Sequence, residues 1–133
     1  MNAKGTFEIT GHPEPPYDTF DGVTLARVSF DKRFSGALEG SGQVQMIGAR
    51  TPVEGSAGYV AIERVTAVLR GRPGTFALQH TGIMNRGTPS LTITVVPDSG
   101  TDQLAGLAGT MAIIIAADGK HSYEFDYTLA AAP

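Results

Sequence analysis

The chain contains no cysteine. Disulfide frameworks, thiolate nucleophiles and thiolate metal sites are thereby excluded, a usage that suits a reducing compartment. Basic runs are missing too. The ten lysines and arginines are dispersed against thirteen acidic residues, for a formal net charge of −3, so the electrostatic footprint of a nucleic-acid binder is absent. Long hydrophobic runs are also lacking. The most apolar stretch, MAIIIAA at 111–117, falls well short of the ~20 residues of a membrane-spanning helix. The N-terminal MNAKGTFEITGHPEPPY has no apolar core of the signal-peptide kind. The expectation is a cytoplasmic protein with neither nucleic-acid nor membrane partners.

Helical periodicity is the last absence. No window of helical length carries a 3.6-residue apolar stripe, and seventeen glycines and eight prolines punctuate the chain at short intervals, which disfavours long helices. What recurs instead is two-residue alternation or continuous β-branched character. Strands are read at 5–10, 22–34, 36–48, 57–70, 74–82, 90–97, 109–117 and 121–129, with at most a short helical turn. The joints carry turn chemistry, among them Arg70-Gly71-Arg72-Pro73-Gly74, Asn85-Arg86-Gly87 and Asp118-Gly119-Lys120, the last a strong hairpin signal. The 133 residues fit one domain, 1–133, able to bury a core without staples. Eight mostly antiparallel strands predict an all-β closed barrel, which leaves no exposed edges. A two-sheet sandwich is the alternative. The length of 22–34 and 57–70 favours the barrel, with Gly36, Gly40 and Gly42 as bend points.

Alternation assigns some faces. His121, Tyr123, Phe125, Tyr127 and Leu129 share the face expected to point inward, as do Phe76, Leu78 and His80. In 57–70, Tyr59, Ala61, Glu63 and Val65 oppose Val60, Ile62, Arg64 and Val68; both sets are apolar enough to leave the inner face open. Two-sided apolarity predicts that part of the outer wall is covered in a homo-oligomer.

Four motifs in order, GSAGYVAIERV (55–65), LRGRPGTFALQHTG (69–82), VVPDSGTDQLAGLAG (95–109) and DGKHSYEFDYTL (118–129), closely resemble a family of small bacterial proteins known as domain of unknown function 3224. The resemblance covers most of residues 36–129. The N-terminal third departs from it: members often carry a Trp-containing strand where this chain has Thr10-Gly11-His12-Pro13-Glu14-Pro15-Pro16. The resemblance implies an eight-stranded barrel like that of allene oxide cyclase, a lipocalin-like cup that often oligomerises. Ser99-Gly100-Thr101 with Leu104, Gly106 and Gly109 looks like a relative of the glycine corner of allene oxide cyclases and dirigent proteins.

Candidate chemistry is sparse. SGTDQLAGLAG (99–109) suggests a phosphate loop, but no Lys and no helix follow it; a structural corner plugged by Leu104 and Leu107 is the reading adopted. His80, on an otherwise apolar face, could be a general base or a satisfied core histidine; of the adjacent Gln79 and His80, only one can face the interior. Glu63, between Ala61 and Val65, is costly unless paired or exposed. It is either an acid/base group or half of an ion pair, with Arg27 or Arg72 as the partner. His121, Tyr123 and Tyr127, with Tyr59, could line a cup for an apolar molecule or simply fill the barrel. No metal-ligand spacing of the His-x-His kind, no Gly-x-Ser-x-Gly elbow and no cofactor motif occur.

The sequence therefore predicts a cofactor-free barrel binding a small apolar or amphipathic molecule. Tyr59, Phe76, Gln79, His121, Tyr123, Phe125 and Tyr127 are the expected ligand contacts, with Glu63, His80 or His121 as polar anchors. The alternative is an isomerase or cyclase in which Glu63 and His80 are catalytic and move a proton. A third reading is a self-filled barrel acting through oligomerisation, which an interior closed by Phe76, Met111 and Tyr127 would favour.

Overall fold

The alternating segments form strands in the computed structural model, which describes residues 1–129. These are β1 (Asn2–Pro13), β2 (Asp18–Phe20), β3 (Val23–Gly36), β4 (Leu38–Arg50), β5 (Ala57–Leu69), β6 (Arg72–Asn85), β7 (Thr88–Val95), β8 (Ala108–Ile115) and β9 (His121–Thr128), with a 3₁₀ turn over Asp102–Leu104 before β8. Every pairing is antiparallel, and neighbours follow chain order from β2 to β9. β1 pairs with β9 on one side and β3 on the other, which closes an eight-stranded barrel of β1 and β3–β9. The expected barrel is thus the fold. β2 is a short spur on β3 that the sequence reading did not include.

Turn chemistry explains the joints. Arg70-Gly71 (φ +45° and +84°) and Arg86-Gly87 (φ +47° and +91°) form two-residue turns between β5, β6 and β7. Positive φ at both central positions marks the type I′ turn, whose twist matches that of the flanking strands. Asp21-Gly22 repeats the pattern between β2 and β3.

The register settles which residues face inward. Across β3–β6, Phe30, Val44, Glu63 and Leu78 lie in one interior row; Val28, Met46, Ala61 and His80 form the next, and Gly48, Tyr59 and Gly82 the one beyond. On β5 the inner face is therefore Tyr59, Ala61, Glu63 and Val65, while Val60 and Ile62 stand exposed on the outer wall. The outer apolarity from which self-association was expected is uncovered in the single chain. There Ile47, Val60 and Ile62 border a groove of about 350 Å³ with Arg27, Gln45 and Gln79.

The two ends of the barrel differ. At one, Leu38, Leu69, Leu104 and Leu107 are buried, and the rings of Phe76, Phe125 and Tyr127 stack at centroid distances of 5.9 and 5.2 Å. The segment 99–109 forms this plug. Ser99 Oγ accepts the Ala77 N–H (3.0 Å), and Thr101 Oγ1 accepts that of Thr75 (3.1 Å), so Ser-Gly-Thr stitches the corner to β6. At the opposite end, residues on the interior side of their strands stay accessible: Leu91 and Ile115 are exposed, while Phe30, Met46, Tyr59, Ile113 and His121 are half-buried. Inward-facing side chains that still meet solvent define an open mouth. The wall opens beside it, because β7 and β8 share only the pair Thr94–Thr110. A groove of about 350 Å³ runs along that seam past Leu91, Ile93 and Met111. Among the described residues, no helix is long and apolar enough to cross a membrane.

Candidate functional site

Midway between plug and mouth, three ionisable side chains meet inside the barrel. Glu63 is fully buried, and Lys32 and His80 are nearly so. Glu63 Oε1 accepts Lys32 Nζ at 3.1 Å and lies 2.8 Å from His80 Nε2. β5 and β6 place Glu63 and His80 as diagonal neighbours, since Ala61 is opposite His80 and Leu78 opposite Glu63. Lys32 comes from β3, one strand further, and has to cross β4 to reach the carboxylate. It can do so because the β4 residue opposite it is Gly42. A Cβ at Gly42 would lie 2.2 Å from Glu63 Oε2 and 3.0 Å from the Phe34 ring. Of the three glycines expected as bend points, Gly36 and Gly40 do have positive φ (+109° and +156°). Gly42 instead clears space for the carboxylate.

The surroundings are aromatic. Lys32 Nζ sits 4.9 Å from the Phe7 ring centroid and 5.8 Å from that of Phe34, where the ring faces attract a cation. Phe7 in turn contacts the His121 ring at 5.1 Å. Glu63 Oε2 has no hydrogen-bond partner among the described residues, and its closest surroundings are Gly42 and Phe34. Above the cluster, Tyr59 lies flat over Gly82, whose absent side chain leaves room for the ring. Burial, and secondarily the charge of Glu63, pushes the Tyr59 hydroxyl above its ordinary value of 10.0. It therefore stays a protonated donor.

The anticipated site residues separate into groups. Glu63 and His80 are brought together, and Tyr59 and His121 join them on the mouth side. Phe76, Phe125 and Tyr127 are packed against the leucine plug and present no accessible face, so they fill the barrel instead of lining a cup. Tyr123 is committed to the backbone: its hydroxyl accepts Leu38 N–H at 2.8 Å and reaches the carbonyls of Leu38 and Ser35 at 2.8 and 3.0 Å. Burial raises its pKa above 10.0, against the opposing effect of the Leu38 hydrogen bond. Gln79 is on the outer wall, opposite Ile62 and Thr94, because strand alternation gave the inner position to His80; contact with an interior ligand is closed to it. Glu63 also finds different partners from the arginines considered. Arg27 projects outward beside Ile47, and Arg72 follows the turn at the plugged end. The partner missed was Lys32. Its signal was present, since Phe30, Lys32 and Phe34 alternate on one face of β3.

In its donor set the cluster offers an ammonium, an imidazole and a carboxylate, groups suited to holding a polar head or shuttling a proton. Among the described residues, no three His, Asp or Glu side chains come together as metal ligands would.

No curated protein matches this sequence. A crystal structure from Shewanella oneidensis MR-1, of a protein with unknown function from the DUF3224 family, is similar to it throughout. The identity is 48%, the TM-score 0.93, and the match covers 99% of this chain and 98% of that one. The model of the family described as "Protein of unknown function (DUF3224)" matches residues 3–127. That span takes in the N-terminal third, where a departure from the family was expected and which here supplies β1. The chain belongs to the DUF3224 family.

Proposed function

We propose that the barrel holds a small apolar or amphipathic molecule in its open half, seated on Lys32, Glu63 and His80. One observation carries this reading. Interior-facing Phe30, Met46, Tyr59 and Ile113 remain accessible directly above a buried polar trio, an arrangement of apolar walls with a few convergent polar groups. The plugged half is self-filled by Phe76, Phe125 and Tyr127, which directs a ligand to the mouth side. Such a trio is a weak source of stability, because desolvating charges offsets much of their attraction. A role in binding accounts for its presence better than a role in folding.

The test is calorimetric titration with decanol, an uncharged apolar probe. Gly48 faces inward at the rim opposite Tyr59, where a Cβ would press on the Gly58 carbonyl oxygen at 3.3 Å and meet Tyr59 Cβ at 3.5 Å. Gly48→Trp, with its barrel verified by circular dichroism, is expected to block the mouth and weaken decanol binding by at least about tenfold, ~1.4 kcal/mol. Undiminished binding in the variant would place the probe elsewhere, for instance in the outer groove beside Ile62.

A second reading, cofactor-free proton transfer, is favoured by the 2.8 Å contact that orients the His80 ring on Glu63. An imidazole positioned by a carboxylate is the usual arrangement of a general base. If His80 serves in this way, the protein speeds exchange of the α-hydrogens of 2-decanone into deuterated water. His80→Gln would abolish that acceleration while leaving the ketone bound. Exchange no faster than in buffer sinks the enzyme reading and leaves the binding one.

A further inference from the structure

The cluster presents an unbalanced set of hydrogen-bonding groups to the open half of the barrel. Lys32 carries three donors. One is taken by Glu63 Oε1 at 3.1 Å, and the ring faces of Phe7 and Phe34 that surround the ammonium offer no lone pairs. The same Oε1 is already shared with His80 Nε2. The other oxygen, Oε2, is the cluster's remaining carboxylate acceptor, and it lies in the slot formed by Gly42 and Phe34. Of the three side chains, Glu63 has no accessible surface, whereas Lys32 and His80 each keep a little (4%). What surface the cluster keeps therefore belongs to Lys32 and His80, with the carboxylate hidden behind.

We infer that the ligand of this site is an amphipathic monoanion, an apolar body ending in a carboxylate, whose head accepts hydrogen bonds from Lys32. The inference rests on the binding reading above and specifies its ligand class. Charge–hydrogen-bond arguments give the order of preference. An anionic acceptor completes the spare ammonium donors and gains from a charge-assisted bond in a site of low polarity. An alcohol of equal length supplies a neutral acceptor. An amine brings a second cationic donor to the Lys32 ammonium, and like charges in such a site repel. The apolar body would lie along Phe30, Met46, Tyr59 and Ile113, the accessible inner wall between cluster and mouth.

The experiment is calorimetric titration of the full chain with decanoate, decanol and decylamine, probes with the same carbon chain and different heads. Decanoate is expected to bind at least about tenfold more tightly than decanol, about the worth of one charge-assisted hydrogen bond, and decylamine more weakly than either. Lys32→Met should weaken decanoate at least about tenfold more than it weakens decanol, which removes the preference. Because that variant strands the Glu63 carboxylate, Lys32→Met with Glu63→Gln serves as its folded counterpart, and the same loss of preference is expected there. Equal binding of the three probes, or preference for decylamine, would overturn the inference while leaving the cup reading intact. Preference for decanoate that survives in the double variant would overturn the assignment to Lys32. Failure of the native chain to bind any of the three would overturn the cup reading itself and the inference with it.

Discussion

Glu63→Ala is expected to lower the unfolding free energy by about 3–5 kcal/mol, the usual cost of removing one partner from a buried charge pair. The carboxylate is fully buried and accepts from both Lys32 and His80. Its loss leaves an ammonium among aromatic rings and an imidazole without its acceptor, in surroundings too dry to compensate either. For a domain of this size that corresponds to a fall in Tm of roughly 10–20 °C. The companion result is the more informative one. Replacing the whole trio with apolar residues of similar volume (Lys32→Met, Glu63→Leu and His80→Leu together) should leave stability about where it was or raise it by ~1–4 kcal/mol, because the desolvation cost disappears along with the attraction. Urea unfolding of the two variants beside the native chain measures both. If the triple variant loses as much as Glu63→Ala, the cluster is a structural fastening and its presence needs no ligand to explain it. If it is as stable as the native chain and no longer binds amphipathic probes, stability and binding are separated at these three positions.

A second large effect is expected at the corner that plugs the barrel. A Cβ on Gly100 would lie 1.9 Å from the carbonyl oxygen of Leu104 and 2.9 Å from its carbonyl carbon. Both are backbone atoms of the 3₁₀ turn and cannot rotate away. Gly100→Ala must push that turn outward and with it Leu104, which is fully buried in the plug. The cost is expected to match that of Leu104→Ala, about 2–5 kcal/mol. Gly106 provides the contrast. Its φ is +84°, but nothing lies within 4 Å of an added Cβ, so Gly106→Ala should cost only the left-handed backbone penalty of about 1–2 kcal/mol. Thermal unfolding of the three variants gives the comparison. A Gly100→Ala protein as stable as Gly106→Ala would mean that close approach to Leu104 does not hold the corner.

Much of this architecture was legible in the sequence, and the reasons lie in particular residues. The alternation of His121, Tyr123, Phe125 and Tyr127 could be read without knowing β9's neighbours, because the opposite face carries Ser122, Glu124 and Asp126. The face of β5 could not. Both of its sides are apolar, and only its pairing with β4 and β6 turns Glu63 inward. The β2–β3 hairpin was missed although Asp21-Gly22 marks it, because the strand before the turn is only three residues long. Filling is equally hard to foresee. Phe76, Phe125 and Tyr127 carry the chemistry of a ligand wall, and what makes them core is Leu104 and Leu107 folding back over them from a corner distant in sequence. Lys32 stood in plain view between Phe30 and Phe34. A lysine at an interior position looks like an exception to the pattern until a buried carboxylate two strands away explains it.

The central claim is that the open half of the barrel, above Lys32, Glu63 and His80, is where a small molecule sits. The most direct measurement is a decanoate titration followed residue by residue by nuclear magnetic resonance on the isotopically labelled chain. The account predicts progressive, saturable shifts at Phe30, Met46, Tyr59, Ile113, His80 and Lys32, with Val60, Ile62 and Gln79 on the outer wall unchanged and the response suppressed in Gly48→Trp. Shifts confined to the outer wall, or no saturable shift at the interior positions, would contradict it.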